Sequence, residues 1–314
     1  LGGGKNSLSG IVDIAVMQSL VKGDEVKDVV QDYGMVIVDE CHHVPAFSFE
    51  QIFKTVSAKY VYGLTATPVR QDGHHPIIFM HCGPIRYRVD AREQAEKRPF
   101  EHYVIPRFTP FRKPLGQDEK EWAIGKIYSE ISNSQVRNQL IIDDIIKCVD
   151  EGRNPIILTE RTAHVDLITK ELSEKIPNVI ALTGGMTVKE RKNKLEKLSS
   201  IPSDENIVVV ATGRFVGEGF DEPRLDTLFF AMPVAWKGTV QQYAGRLHRL
   251  YQSKDEVQIY DYVDIHVGVL ERMYQKRLRG YATIGYSTKS DSRPFESTNI
   301  IFDNHNFMTV FSGD

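Results

Sequence analysis

Short apolar runs alternate with longer helical segments through the second half of the chain, and this alternation constrains the fold more than any other feature. The runs are rich in Val, Ile, Leu and Phe, and they cover residues 156–159, 179–182, 207–211, 226–231 and 257–262. Helix-length segments at 164–175 and 188–199 separate the earlier runs. Strands that alternate with helices at this spacing indicate parallel βαβ units. The sequence therefore predicts an α/β fold with a doubly wound parallel sheet.

A further apolar run, Val36-Ile37-Val38, ends directly in the carboxylates of Asp39 and Glu40. Such a run predicts a strand that is buried on both faces. Ligands of open α/β sheets bind at the carboxyl ends of the strands, where these two acids lie. One carboxylate can hold Mg²⁺, which shares its oxygen ligands with phosphates, and the other can orient or deprotonate a water. The same ending occurs in α/β proteins that bind no nucleotide, so the run alone leaves both interpretations open.

Two threonines, Thr65 and Thr67, follow the next predicted strand, which covers residues 60–64. Hydroxyl groups both donate and accept hydrogen bonds, so they suit a relay that responds to the state of a nucleotide. On its own, the stretch also fits an ordinary Thr-rich turn before Pro68.

Gln242, Gly245, Arg246 and Arg249 form a fourth pattern, with the spacing Q-x-x-G-R-x-x-R. On a helix these positions share one face, because they are three or four residues apart. Such a face would pack poorly in a core, whereas two guanidinium groups offer forked donors to phosphate oxygens. The alternative is a surface helix whose arginines form salt bridges.

Together, the acid pair, the Thr-rich stretch and the Gln-Gly-Arg-Arg pattern resemble the motor core of superfamily 2 helicases and translocases of the Asp-Glu-x-His (DEAD/DEAH-box) type. The resemblance extends over most of the chain and is nearest to the branch of repair helicases and type III restriction motor subunits. It implies two RecA-like parallel-sheet domains, the first incomplete at its N-terminus, that hydrolyse ATP with Mg²⁺. It also implies movement along nucleic acid, expected to be DNA, through backbone contacts with little sequence specificity.

The resemblance gives roles to residues around the nucleotide. Asp39 would position Mg²⁺, Glu40 would activate the attacking water, and His42 would join the network between the domains. Arg246 and Arg249 would stabilise the charge that spreads during γ-phosphoryl transfer. The same resemblance also places three further residues at the nucleotide site, Gln242, Gly219 and Asp221.

Ribose and nucleic-acid contacts are also implied by the resemblance. Asp221 would reach the ribose and Gly219 would let the backbone approach it, although a bare G-x-G also fits a simple turn. Contacts to nucleic acid, or coupling of these contacts to the ATP site, are implied for Gln18, Ser19, Thr65, Thr67, Thr183 and Thr212. For Gln18 and Ser19, the sequence fits equally well a cap on a following helix.

The chain opens on a glycine-rich stretch, Gly2-Gly3-Gly4, followed by Lys5 and Asn6. A phosphate loop needs G-x-x-x-x-G-K-[ST] after a strand, but here no strand precedes and Asn6 replaces the hydroxyl residue. We interpret the stretch as a hairpin tip. In the resembled family the phosphate loop lies upstream of the acid pair, so an upstream segment of the same protein is expected to supply it.

Prolines predict the domain limits. Four of them lie within residues 99–116, and proline neither donates to a sheet ladder nor fits inside a helix. We therefore expect a connection there. The predicted parts are the end of a first RecA-like, ATP-binding domain (1–112), a linker with a second RecA-like helicase domain (113–265), and a C-terminal extension (266–314).

Several local elements are predicted outside the chemical motifs. They are a strand at 11–17, a solvated polar helix at 24–32, a helix over 47–53, a helix over 119–151 and a basic helix at 276–281. The basic helix fits either a contact to a phosphate backbone or a simply solvated face.

Composition limits the partners and the compartment. The 39 Lys and Arg against 42 Asp and Glu give a formal charge of −3, so any nucleic-acid contact must be local. Three cysteines without a C-x-x-C pair favour a reducing compartment and predict a cytoplasmic protein without a disulfide framework. No apolar stretch approaches the roughly 18 residues that span a bilayer, so no membrane association is predicted.

Two other classes of function compete with the motor interpretation. A non-catalytic nucleic-acid-binding module or scaffold is favoured by the absence of a phosphate loop, but it would need neither the acid pair nor both arginines. A metal-dependent hydrolase could use the Cys and His residues between positions 41 and 82. However, adjacent strand residues point to opposite faces, and the paired ligand spacing typical of zinc is missing.

Overall fold

Two units make up the chain, residues Leu1–Asp90 and Ala91–Asp314. The computed structural model describes residues 1, 2, 4, 6–23, 25–41, 46–65, 75–113, 123–217, 220–234, 237–252, 254–289, 300–302 and 308–310. Within these ranges, no helix combines the length and the apolar character that a membrane crossing requires.

The first unit contains a hairpin and a small parallel sheet. Its elements are β1 (Val21–Lys22), β2 (Glu25–Val26), β3 (Met35–Val38), α1 (Ala46–Thr55), β4 (Tyr60–Gly63) and α2 (His75–Cys82). Strands β1 and β2 pair antiparallel, whereas β3 and β4 pair parallel from Met35–Tyr60 to Val38–Gly63. The strands predicted before Asp39 and before Thr65, and the helix predicted over 47–53, are therefore confirmed.

Three local predictions for this unit are wrong. Residues 11–16 join no described strand, and a 3₁₀ turn at Met17–Ser19 follows them. Residues 24–32 are not one helix but β2 and a 3₁₀ turn at Asp28–Gln31, because β-branched valines weaken the helical preference there. Strand β3 is not buried on both faces, since Met35 and Ile37 are 51% and 59% exposed.

The second unit is built on a seven-stranded parallel sheet with the strand order β11-β5-β10-β9-β6-β8-β7. Its strands are β5 (Glu101–Phe108), β6 (Pro155–Thr159), β7 (Val179–Leu182), β8 (Val208–Thr212), β9 (Thr227–Phe230), β10 (Glu256–Val263) and β11 (Ser287–Thr288). A separate antiparallel pair, β12 (Ile300–Phe302) and β13 (Met308–Val310), follows in the chain. The predicted α/β fold with a doubly wound parallel sheet is confirmed.

Helices flank this sheet on both faces. They are α3 (Ala91–Glu96), α4 (Ile124–Asn133), α5 (Gln135–Asp150), α6 (Thr162–Ser173), α7 (Val188–Ser200), α8 (Gly213–Gly217), α9 (Lys237–Ala244) and α10 (Gly268–Thr283). Alternate strand residues enter two different cores, with Ile156 and Leu158 in one and Ile157 in the other. The helix predicted over 119–151 is in fact two helices, which are separated at Ser134.

The structure divides the chain earlier than the proline-rich stretch predicts. Strand β5 lies inside the predicted first part, 1–112, but it pairs with β10 in the second unit from Glu101 to Phe108. Pro106 is tolerated because β11 pairs only with Tyr103 and Val104, which leaves the proline where β5 has a single described neighbour. The assignment of the two units to the halves of a motor remains a prediction.

The predicted extension, residues 266–314, is not independent of the second unit either. Helix α10 buries Arg277, whose Nε and Nη2 donate to Asp261 in β10, both at 2.8 Å. The third nitrogen, Nη1, donates to the carbonyl of Val234 at 3.1 Å. For Arg277, both interpretations of the basic helix are wrong, because its charge is neutralised inside the protein.

Candidate functional site

The acid pair lies at the carboxyl end of β3, beside the end of β4. The N–H of Leu64 donates to the carbonyl of Val38 at 2.8 Å, and the N–H of Cys41 donates to the carbonyl of Leu64 at 3.0 Å. These bonds continue the pairing of the two strands past their ends. Because parallel strands end at one edge, Asp39, Glu40 and Thr65 come together there. His42 and Thr67 lie outside the described residues.

Glu40 has a backbone φ of 47°, in the left-handed region that residues other than glycine rarely adopt. Its N–H donates to Oδ1 of Asp39 at 2.9 Å. Backbone strain of this kind concentrates at functional sites, where the surroundings hold a side chain in a required direction. The two acids lie in different environments, because Asp39 is exposed and Glu40 is half-buried.

Asp39 fits a magnesium ligand by its chemistry. It presents an exposed carboxylate at a strand end, and Mg²⁺ is commonly held by one or two carboxylates together with phosphate oxygens and waters. Across the described ranges, no three His, Cys, Asp or Glu side chains converge as a set that could hold a metal ion. Three of the histidines considered as zinc ligands lie outside those ranges: His42, His43 and His74.

The arginine segment is not a single helical face. Helix α9 ends at Ala244, a 3₁₀ turn covers Gly245–His248, and Arg249 follows in an extended conformation. Beyond α9, the carbonyls of Leu247 and Arg249 accept hydrogen bonds from the Lys254 ammonium. The prediction that all four residues of the pattern share one helix is therefore wrong.

Arg249 nevertheless meets another predicted site residue. Its Nε donates to Oδ1 of Asp221 at 2.9 Å, and the two side chains are 57% and 46% exposed. An exposed pair of this kind contributes little to stability and exchanges readily for another partner. The pair therefore leaves a guanidinium and a carboxylate available to a polar ligand. Gly219, two residues before Asp221, lies outside the described residues.

Thr183 directly follows β7, and Thr212 is the last residue of the neighbouring strand β8, so the two threonines lie close together. The N–H of Gly184 donates to the hydroxyl of Thr212 at 3.3 Å. Both threonines are buried, whereas Gly184 and Gly185 are exposed. At this edge the exposed surface is therefore the glycine backbone rather than the predicted hydroxyls.

Gln18 and Ser19 lie in the 3₁₀ turn of the first unit, where Gln18 is exposed and Ser19 is half-buried. Strand β1 follows them rather than a helix, so their interpretation as helix caps is wrong. Their predicted contact with nucleic acid remains a prediction.

Sequence reasoning missed two residues next to the predicted site, Glu160 and Tyr243. A Cβ atom added to Gly213 would lie 2.2 Å from the Tyr243 hydroxyl and 3.1 Å from Oε1 of Glu160, so the three residues are tightly packed. Burial raises the pKa of the Glu160 carboxyl. Burial and, to a lesser extent, the nearby Glu160 charge raise the pKa of Tyr243 to about 12. The sequence signal that could have identified Tyr243 is its position directly after Gln242, a predicted site residue.

Gly213→Ala is expected to destabilise the second unit by about 1–3 kcal/mol, because the new methyl group must displace Tyr243 in a packed core. Urea unfolding of the full chain measures the change. Gly125→Ala is the matched control, since a Cβ there would meet nothing within 4 Å. Equal effects of the two substitutions would show that the close approach to Tyr243 is unimportant.

Comparisons with known proteins find matches to helicase-related families. The family model described as "Type III restriction enzyme, res subunit" matches residues 5–70, and "Helicase conserved C-terminal domain" matches residues 137–251. A putative ATP-dependent RNA helicase of Acanthamoeba polyphaga mimivirus is 26% identical over 84% of this chain and 50% of its own length. A DNA 3'-5' translocase, XPB2, of Sulfurisphaera tokodaii is 24% identical over 82% of this chain and 63% of its own length.

A solved structure supports the fold. The fragment structure of a putative HsdR subunit of a type I restriction enzyme from Vibrio vulnificus superposes with a TM-score of 0.60 at 18% identity. The match covers 83% of this chain and 48% of that chain, and it supports the RecA-like fold alone. The chain thus spans about half to two thirds of the length of these relatives.

Proposed function

Because the chain belongs to the superfamily 2 helicases and translocases, we propose that it is part of a motor that couples ATP hydrolysis to movement along nucleic acid. The observation that carries the proposal is the acid pair, Asp39 and Glu40, which emerges beside Thr65 at the end of β3. A module that only binds nucleic acid would need neither these acids nor the exposed guanidinium of Arg249.

In the proposed reaction, Glu40 orients the attacking water and accepts its proton while the water oxygen bonds to the γ-phosphorus and ADP leaves; Asp39 would hold Mg²⁺. When bound, Mg²⁺ would neutralise charge on the phosphate oxygens. Arg246 and Arg249 stabilise the charge that spreads over the γ-phosphoryl group, while Asp221 contacts the ribose. The exposed pair between Arg249 and Asp221 supports these roles, because both groups can leave each other for a ligand.

We further propose how nucleic acid is held. The exposed backbone at Gly184 and Gly185, which the buried Thr183 and Thr212 would position, would contact phosphates, as would Gln18 and Ser19. Contacts to phosphates do not read bases, so little sequence specificity is expected. Coupling between nucleotide and nucleic acid would involve Thr65, Thr67, Gln242 and His42.

DNA is the proposed track, and a segment upstream of Leu1 is proposed to supply the phosphate loop. The relative named as a DNA translocase supports DNA, and the share of the relatives' length that the chain spans leaves room for that segment. Another relative is named as an RNA helicase, so RNA is the natural comparison in any test.

The test is ATP turnover with and without duplex DNA or duplex RNA, measured on this chain and on a version extended upstream. We expect turnover from the extended version only, with stimulation by DNA. Stimulation by RNA alone would overturn the choice of DNA. An inert extended version, combined with DNA binding by this chain, would replace the motor proposal by a nucleic-acid-binding module.

A further inference from the structure

Lys254 is a buried lysine whose ammonium is surrounded by backbone carbonyls. It is 8% exposed, and its Nζ donates to the carbonyls of Pro223, Leu225, Leu247 and Arg249 at 2.9, 2.8, 3.0 and 2.9 Å. An ammonium has three N–H donors, so the four acceptors fully occupy it. The ring of Phe100 lies 5.8 Å from the same nitrogen.

These carbonyls belong to two separate segments of the second unit. Residues 220–225 carry Asp221, and residues 247–249 end in Arg249. The side chains of Arg249 and Asp221 form an exposed ion pair between the two segments. Exposed pairs contribute roughly 0–1 kcal/mol. That pair is too weak to fix the distance between the segments. The buried ammonium bonds both of them at once.

The first segment is also anchored from its other side. Arg224 donates from Nε and Nη2 to the carboxylate of Glu222 at 2.9 and 3.1 Å. The same guanidinium donates to carbonyls at the end of α7, those of Leu198, Ile201 and Pro202. Residues 220–225 are therefore a fixed platform, and Lys254 holds the arginine segment against it.

Charge at Lys254 supports this arrangement. Burial lowers the pKa of the ammonium to about 8, although the nearby carboxylates of Asp226 and Glu222 favour its charged form and Arg153 opposes it. A neutral amine would direct its lone pair at carbonyl oxygens, so only the charged form satisfies the whole set of acceptors.

We propose that Lys254 is a positioning residue that holds Arg249 opposite Asp221, so that both reach the nucleotide in one fixed geometry. The effect on ATP turnover rests on the function proposed above, whereas the bond between the two segments does not. Lys254 itself touches no reacting atom, because its donors are occupied by backbone carbonyls.

The first experiment compares backbone hydrogen exchange in the Lys254→Met variant with that in the parent chain. Methionine keeps a linear side chain but removes the N–H donors. We expect backbone amides in 220–225 and 247–249 to exchange about tenfold faster, with the rest of the sheet unchanged. Lys194→Met is the matched control, because Lys194 also donates to a backbone carbonyl, that of Ala181 at 2.8 Å, but outside both segments. Unchanged exchange in the two segments, or an equal rise throughout the sheet, would overturn the proposal.

The second experiment measures ATP turnover of the upstream-extended protein. Lys254→Met is expected to lower kcat about tenfold, since small misplacements of catalytic groups slow reactions strongly. Nucleic-acid affinity and the Lys194→Met rate should stay unchanged. Normal kcat in Lys254→Met would overturn the positioning role. An inactive parent protein with locally faster exchange in Lys254→Met would instead refute the proposed ATPase while the bond between the segments stands.

If Lys254→Met fails to fold, Lys254→Gln provides a milder change, because its amide keeps two N–H donors at a shorter reach. We expect it to show the same local pattern of exchange with a smaller increase. Wild-type exchange rates in both segments of a folded Lys254→Gln variant would overturn the proposal.

Discussion

Glu40→Gln is expected to lower ATP turnover of the upstream-extended protein about 10²- to 10⁴-fold, the range usual for loss of a general base. Glutamine keeps the size of the side chain and can still contact a water, but it cannot accept the proton. The strained turn at Glu40, with φ of 47°, lets the substitution test chemistry rather than shape, since both residues face the same backbone constraint. Steady-state ATP hydrolysis with saturating DNA measures the effect.

Glu25→Gln is the control for this substitution, because Glu25 is an exposed residue of β2 in the same unit. Turnover of that variant should match the parent protein. Binding of DNA should persist in Glu40→Gln, which separates a failed reaction from a failed fold. Turnover within twofold of the parent would remove Glu40 from the mechanism and leave the resemblance of the acid pair without a catalytic meaning.

The candidate site could be predicted where it depends on strand ends. Apolar runs define β3 and β4, and because the strands run parallel, Asp39 and Thr65 must meet at one edge. The same rule brings Thr183 near Thr212 at the ends of β7 and β8. Sequence periodicity could not show that these threonines are buried, since that depends on the path of the loop that carries Gly184.

Contacts made through backbone atoms leave no pattern in the sequence. Lys254 bonds four backbone carbonyls, and a carbonyl is the same in every residue, so nothing in the sequence marks its role. The helical spacing of the Gln-Gly-Arg-Arg pattern likewise could not show that α9 ends at Ala244. Gln242 and Arg249 therefore follow different local geometries despite their helical spacing.

The burial of Arg277 could have been predicted better from the spacing of its neighbours than from its charge. Flanking basic residues suggested a solvated helix, yet Met273, Arg277 and Tyr281 recur every four residues and form the buried face of α10. Tyr281 donates its hydroxyl proton to the same carboxylate, Asp261, at 2.8 Å. A charged residue on a buried helical face needs a buried partner, and Asp261 in β10 supplies it.

Arg277→Met is accordingly expected to destabilise the second unit by about 3–5 kcal/mol, because it leaves the buried Asp261 carboxylate without its cation. Urea unfolding of the full chain measures the loss. Arg279→Met, on the exposed face of the same helix, is the matched control and should change stability by no more than about 0.5 kcal/mol. Similar losses in both variants would mean that the buried pair carries no special weight.

A second arm separates the charge from the packing of the arginine. Asp261→Asn removes the negative charge but keeps the shape of the side chain, so adding it to Arg277→Met removes the uncompensated carboxylate. We expect the double variant to lose clearly less stability than the sum of the two single variants, since the interaction between neighbours makes their effects non-additive. Simple additivity would instead mean that Arg277 stabilises α10 through its packing and its bond to the Val234 carbonyl, independently of Asp261.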